Sequence, residues 1–253
     1  MQVVAVEQRA VDRALRRSAV YRLLSAALRP PTEGFATIIA DAEAHAVVRE
    51  AARGAGKEAA DAVEVALNGF AGAAPEALSD EHDRVFGHQV GLDCPLYEAQ
   101  YAAGGVFQQA QCIADVAGFY HALGLDVGDR VRERPDHVSL ELEFMHALAY
   151  REAHARAHHG PADLELLTHA QQTFLRDHLA RWVPMLARLV ARKTRGPYAA
   201  LAALLERWIA ADARALGAEP VEAIDLTLPA EASDLEGDIS PCGAGRCPLE
   251  QPA

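Results

Sequence analysis

Apolar residues in this chain recur at helical spacing and come mostly from Ala and Leu rather than Val and Ile. That pattern constrains the fold more than any other feature, because those residue types favour helix over strand. Val11, Leu15, Leu24 and Leu28 make one such stripe, and Leu140, Phe144 and Leu148 repeat it at i, i+4 and i+8. Few segments alternate with the period of a half-buried strand. The expected fold class is therefore all-α. With 253 residues, 51% of them hydrophobic, a sizeable core can be filled.

Punctuation along the chain divides it into helices. The first is expected over 11–28, closed by Pro30 and Pro31. Ala-rich stretches at 36–52 and 57–70 follow, separated by Gly54 and Gly56, then a short amphipathic stretch from Leu78 to Phe86. Residues 88–97 read as a loop, and 98–123 as a helical region broken at Gly104 and Gly105. A charged connector at 124–135 precedes a long helix over about 136–158. Helices at 162–180, 182–193 and 197–215 complete the set, with Pro184 in the first turn of its helix. From Gly217 the apolar periodicity stops, so 217–253 is expected to be a disordered acidic tail.

The net charge is −12, which argues against nucleic acid as a partner and permits attraction to basic peptides. Glu219, Glu222, Asp225, Glu231, Asp234, Glu236 and Asp238 carry seven of those charges, leaving −5 for the remainder. No apolar run approaches the roughly 20 residues that a bilayer span needs. Arg16-Arg17 ahead of an apolar stretch resembles an export signal superficially. Arg22 interrupts that stretch, however, and Arg29-Pro30-Pro31 replaces a cleavage site. The chain is expected to stay in the cytoplasm with reduced thiols.

The most chemically loaded segment is Arg134-Pro-Asp-His-Val-Ser-Leu-Glu-Leu-Glu-Phe-Met145. Pro135 keeps Arg134 out of the helix, so Asp136 is expected near the helix start, where a carboxylate meets unpaired N–H groups. Glu141 and Glu143 flank the apolar stripe, with no Lys or Arg between Arg134 and Arg151. An acidic helix entrance beside apolar side chains suits a basic, apolar peptide better than a reaction.

Pro-Asp-His followed by Glu-Leu-Glu-Phe-Met resembles the signature of the TorD/DmsD/NarJ family of redox-enzyme maturation chaperones, which proofread twin-arginine leaders. Val85-Phe-Gly87, Cys94-Pro-Leu-Tyr-Glu98 and Tyr101 are similar to that family's Pro-Pro-Tyr-Glu block. Ala117 to Leu125, Phe174-Leu-Arg-Asp-His-Leu-Ala-Arg-Trp182 and Tyr21 to Pro31 resemble three further blocks, in the expected order. Cys94 departs from the pattern where proline is usual, and the Cys-bearing acidic tail has no counterpart in it.

The resemblance implies one all-helical domain over 1–216, with 124–135 as a hinge through which halves can exchange in a swapped dimer. It implies a chaperone, not an enzyme, without a cofactor of its own. The partner would be the catalytic-subunit precursor of a molybdenum-containing oxidoreductase. Asp136, Glu141 and Glu98 would receive the arginines of its leader, with His137 beside them. Tyr97, Leu140 and Phe144 would receive its apolar segment. Alternatives are a NarJ-like factor for a leaderless cytoplasmic subunit, and a helical metalloenzyme using Glu143 and His146.

Other constellations are weaker. Glu143-x-x-His146 lacks the second copy that a dinuclear bundle needs. His154 and His158 share one helix face, but no further ligand has recognisable spacing. Cys242 and Cys247 supply two thiols where a closed zinc site needs four ligands, while Cys94 and Cys112 read as core or loop residues. No phosphate-binding loop or zinc-protease motif is present.

Overall fold

The computed structural model describes residues 2–31, 41–87, 94–102, 106–128, 131–158 and 161–220. All regular structure among them is helical: α1 (Gln2–Ala27), α2 (Ala42–Ala55), α3 (Lys57–Ala71), α4 (Pro75–Phe86), α5 (Val106–Ala122), α6 (Val138–His158), α7 (Pro161–Phe174), α8 (Ala180–Lys193) and α9 (Pro197–Leu216). A 3-10 turn covers Glu98–Gln100. The all-α reading holds, and its departures are local.

Two local departures position the site. The expected break between helices near residue 181 is absent. Instead α7 runs through a π-helical turn at Leu175–Leu179 directly into α8. Pro184 then sits inside a helix rather than in a first turn. The wide turn inserts one extra residue into the helical ladder, which rotates Arg176 to His178 relative to a regular helix. The second departure is at the start of α6. Asp136 lies before the helix, and the cap is His137, whose Nδ1 accepts the Ser139 N–H at 3.2 Å.

One hydrophobic cluster runs from Val20 to Ala218 and draws on helices from both sides of the 124–135 connector. Trp182, Tyr21, Tyr101, Tyr198 and Phe174 are its largest fully buried side chains. Leu125 and Val127 of the connector pack against it as well. Each fully buried aliphatic or aromatic side chain contributes roughly 1.5–3 kcal/mol of transfer free energy. α1 and α6 lie against each other, with Ser18 donating to His146 O at 3.2 Å and Ser25 to Ser139 O at 2.7 Å.

A charge network ties this pair to α9. Arg17 on α1 makes a two-pronged contact with Asp212, at 2.7 and 2.9 Å, and reaches Glu152 on α6 at 2.9 Å. Tyr21 donates to Asp212 at 2.6 Å, Gln171 donates to Glu152 at 3.0 Å, and Arg156 adds a second cation to Glu152. Burial opposes the charge of Arg17, but Asp212 outweighs it and holds the guanidinium more firmly protonated than usual. α9 ends at Gly217 in the left-handed region at φ 64°, a conformation glycine adopts without Cβ strain.

Candidate peptide-binding site

The Cys94-to-Tyr101 segment and the Arg134-to-Ser139 segment meet in an isolated antiparallel bridge between Tyr97 and His137. Their backbones interlock: Glu98 N–H donates to Asp136 O at 2.9 Å and Val138 N–H to Leu96 O at 2.8 Å. The Asp136 carboxylate accepts the Ala99 N–H at 3.1 Å, so it caps the 3-10 turn rather than its own helix. Arg134 binds that carboxylate through two nitrogens, at 3.0 and 2.9 Å, and lays its guanidinium 4.4 Å over the Tyr97 ring. Asp136 is fully buried while Arg134 is about half exposed. A bidentate pair that also caps a turn is a rigid joint.

His137 stands edge-on to Tyr97, ring centroids 5.0 Å apart. Its Nδ1 accepts from Ser139 N–H and lies 2.8 Å from Ser139 Oγ. Acceptance at Nδ1 puts the ring proton on Nε2 of the neutral imidazole. Burial is the main cause that pushes this histidine down to about 4, with Glu133 opposing. Ser139 and His137 are both buried, at 1% and 5% exposure. Tyr97 is partly exposed, donates to Glu133, and is pushed up to about 12 by burial and then by that carboxylate.

Beneath the joint lies a second layer. Glu98, 4% exposed, accepts from His178 Nδ1–H at 2.9 Å, and the π-helical turn is what aims His178 there. The other ring nitrogen of His178 has no hydrogen-bond partner and faces the Asp115 carboxylate on α5 at 3.7 Å. Glu141, fully buried, accepts from the Trp182 indole N–H at 3.2 Å, while its other oxygen has no partner. Burial first, and Glu98 second, push Glu141 well above the usual carboxylate range. The Cys112 thiol is raised by burial and by the same carboxylates, which makes it a poor nucleophile.

All seven expected residues are placed. Tyr97, Glu98, Asp136, His137 and Glu141 come together at this locus. Leu140 and Phe144 are buried at 7% and 4% exposure, and Phe144 stacks with Tyr120 and Phe174, centroids 4.8 and 4.7 Å away. Asp136 is spent on Arg134 and Ala99, and of the two helix carboxylates Glu141 is buried while Glu143 is exposed and paired with Arg29.

Sequence reasoning missed Arg134, His178, Trp182, Asp115 and Cys112. His178 and Trp182 stand four apart in one helical block, spacing that alone places both on one face. Arg134, Asp115 and Cys112 carried no local signal.

The roof of the cluster is α5, and it is thinly attached. Its buried residues are Val116 and Tyr120, in the second half, while Val106 and Phe107 in the first turn are 83% and 78% exposed. Tyr120 pins that second half by donating to Pro135 O at 2.8 Å.

The profile of the nitrate reductase delta subunit family matches residues 48–188, more than half of the chain and every residue of this cluster. The chain belongs to that family. The motif resemblance to the TorD/DmsD/NarJ chaperones is thereby supported on independent ground. Among curated relatives, this family member is 29% identical over 220 residues to the perchlorate reductase assembly chaperone protein of Dechloromonas aromatica, spanning 79% of this chain and 89% of that one. A solved structure of a candidate redox enzyme maturation protein from Archaeoglobus fulgidus aligns at 22% identity and TM-score 0.48, covering 76% of this chain and 93% of the other.

Among the described residues no group of three or more His, Cys, Asp or Glu side chains is arranged to hold a metal ion. His146 bonds Ser18 rather than pairing with Glu143. His154 and His158 stack with centroids 4.8 Å apart, and their neighbour His159 lies outside the described residues, as do Cys242 and Cys247. No helix of the described residues is long and apolar enough to cross a membrane.

Proposed function

We propose that this protein is a cytoplasmic maturation chaperone that holds the catalytic-subunit precursor of a molybdenum-containing oxidoreductase while its cofactor is inserted. The family match across 48–188 carries the reading, because it covers the whole buried acid cluster. The name of the Dechloromonas relative, an assembly chaperone for a reductase, fits a reductase subunit as client. The protein acts by binding and not by turnover. The Cys112 thiol beside the site is pushed up by burial, and the Ser139–His137 contact is buried.

In this reading the precursor's leader enters between α5 and the α7–α8 helix. Its arginines meet Glu98, Glu141 and Asp115, and its apolar stretch lies against α5 and the rim at Tyr97. Asp136, His137, Leu140 and Phe144 hold the shape of the floor. Release of the leader then permits export. The 124–135 connector serves as the hinge that lets the two halves part or exchange.

Titration of the purified protein with a synthetic leader tests this. A peptide with paired arginines is expected to bind at least about tenfold tighter than its paired-lysine variant, since a bidentate carboxylate contact discriminates the two. Equal affinities would remove the arginine pocket. Capture of the client subunit with its leader deleted would instead favour an assembly factor for a leaderless subunit.

A further inference from the structure

α1, α2 and α6 enclose a cleft of about 400 Å³. That leaves room for about a dozen non-hydrogen atoms at roughly 30 Å³ each, the low end of small-molecule sites. Leu15, Ala19 and Leu23 of α1 and Ala44 and Val48 of α2 supply its apolar walls. Leu23 and Val48 are buried, at 4% and 1% exposure, whereas Leu15 and Tyr150, which also line it, remain 42% and 56% exposed. Exposed large apolar side chains that converge on a concavity mark a contact surface. His146 and Tyr150 follow Glu141 by five and nine residues, so the cleft lies on the other side of α6 from Glu141.

The polar groups that line the cleft are unevenly paired. Ser18 and His146 occupy each other: His146 Nδ1–H donates to Ser18 O at 3.0 Å, and Ser18 Oγ lies 2.7 Å from the same nitrogen. Burial pushes this histidine down, so it adds no positive charge near neutral pH. Asp41 caps α2, its Oδ1 accepting the Glu43 and Ala44 N–H groups at 3.0 Å each, and the positive end of that helix offsets its charge. Arg22 is different. Arg16, Arg17 and Arg29 on the same helix meet the carboxylates of Glu50, Asp212 and Glu143. Arg22 is exposed and meets no carboxylate among the described residues.

We propose that the cleft between α1, α2 and α6 binds a small amphipathic anion, a hydrocarbon body carrying one carboxylate. The carboxylate pairs with Arg22 through charge-assisted hydrogen bonds, and the hydrocarbon displaces water from Leu15, Leu23 and Val48. A cation on the same body would set like charges together, and a neutral group would forgo the ionic contact. The cleft shares no residue with the cluster proposed for the leader, so the two are tested apart.

Decanoate has the size and charge for the test. Equilibrium dialysis of the full-length protein against submicellar decanoate is expected to find a single class of site with a dissociation constant of about 0.1 mM or tighter. Decyltrimethylammonium should bind at least about tenfold more weakly. Arg22→Gln should weaken decanoate about tenfold, the loss of one charge-assisted contact. Arg13→Gln, at an exposed arginine of α1 outside the cleft, should leave it unchanged. Ala44→Trp, which fills the cleft from the first turn of α2, should abolish binding. A cooperative thermal transition is required of each variant, and Arg22→Gln carries the test if Ala44→Trp lacks one. Absence of decanoate binding, equal affinity for the two amphiphiles, or equal affinities of Arg22→Gln and Arg13→Gln would each overturn the proposal. Decanoate still held by a folded Ala44→Trp would overturn it as well.

Discussion

Two buried polar clusters lie on either side of α6, and they are built on opposite rules. Around Arg17, two cations face two carboxylates, and nearly every oxygen has a donor. Around Glu141, three buried carboxylates gather with one partly exposed arginine, one carboxylate oxygen lacks a donor and one histidine nitrogen lacks a partner. The first cluster is a clamp whose charges balance within the fold. The second has no such balance. Burying an unpaired acid is costly unless it is neutral or meets a cation. The first stabilises the fold, and the second is the cluster proposed above to receive the leader.

The largest effect should come from unbalancing the clamp. Arg17→Met leaves Asp212 and Glu152 short of their shared cation at a fully buried position, and should cost about 3–5 kcal/mol in denaturant unfolding. A cost under about 1 kcal/mol would mean that Tyr21, Gln171 and Arg156 suffice without it, and the comparison would fail at its stronger end.

His137 should matter next, through pH. Its folded value near 4 lies below the ordinary 6.5, so the native state prefers the neutral ring. The stability linked to it is present above pH 6.5 and is lost as pH falls toward 4, by about 3 kcal/mol for a shift of that size. His137→Asn keeps an acceptor for the Ser139 N–H and should flatten this acid limb. An unchanged limb in thermal unfolding between pH 6.5 and 4 would assign it to other groups.

Trp182→Phe removes the donor that Glu141 has, with little loss of volume, and should cost about 1–3 kcal/mol. Glu141 itself should show the opposite sign of pH dependence to His137. Its folded value is raised above the ordinary 4.5, so the native state binds the extra proton and loses stability as pH climbs above that value. Glu141→Gln has no such loss. Its melting temperature should match the native protein near pH 4.5 and exceed it by a growing margin up to pH 8; parallel curves would show that Glu141 is ionised in both states.

The smallest effect expected is on folding and the clearest on binding: Glu98→Gln should leave unfolding almost unchanged, since His178 Nδ1–H still finds an amide oxygen. It should weaken a paired-arginine leader about tenfold, the loss of one charge-assisted contact. Equal affinity would take Glu98 out of the site.

The helices were legible because their signals are local. Periodic Leu and Ala, Pro30 and Pro31 after the first helix, and Gly217 at a last turn each act within one or two turns of chain. The segments that converge on the site were legible too, since Tyr97-Glu98 and Asp136-His137 stand in motif blocks. What those residues do was not. Asp136 has the sequence context of a helix cap and a peptide-facing acid, yet it caps a turn 37 residues away and pairs with Arg134 two residues before it. Glu98 and His178 are 80 residues apart, and only the π-helical turn, which no residue pattern announces, swings the ring onto the carboxylate.

By itself, then, the sequence determined an all-helical chain and the order of its elements, because backbone propensity and hydrophobic period are encoded within neighbouring residues. Burial, pairing and protonation were decided by tertiary structure alone, because each depends on which charges and dipoles arrive from distant segments and on how much water they exclude. Glu141 and Glu143 make the point at two residues' distance. One faces Trp182 in the core and is pushed above the usual carboxylate range, and the other faces Arg29 in solvent, a difference set by the side of α6 on which each falls.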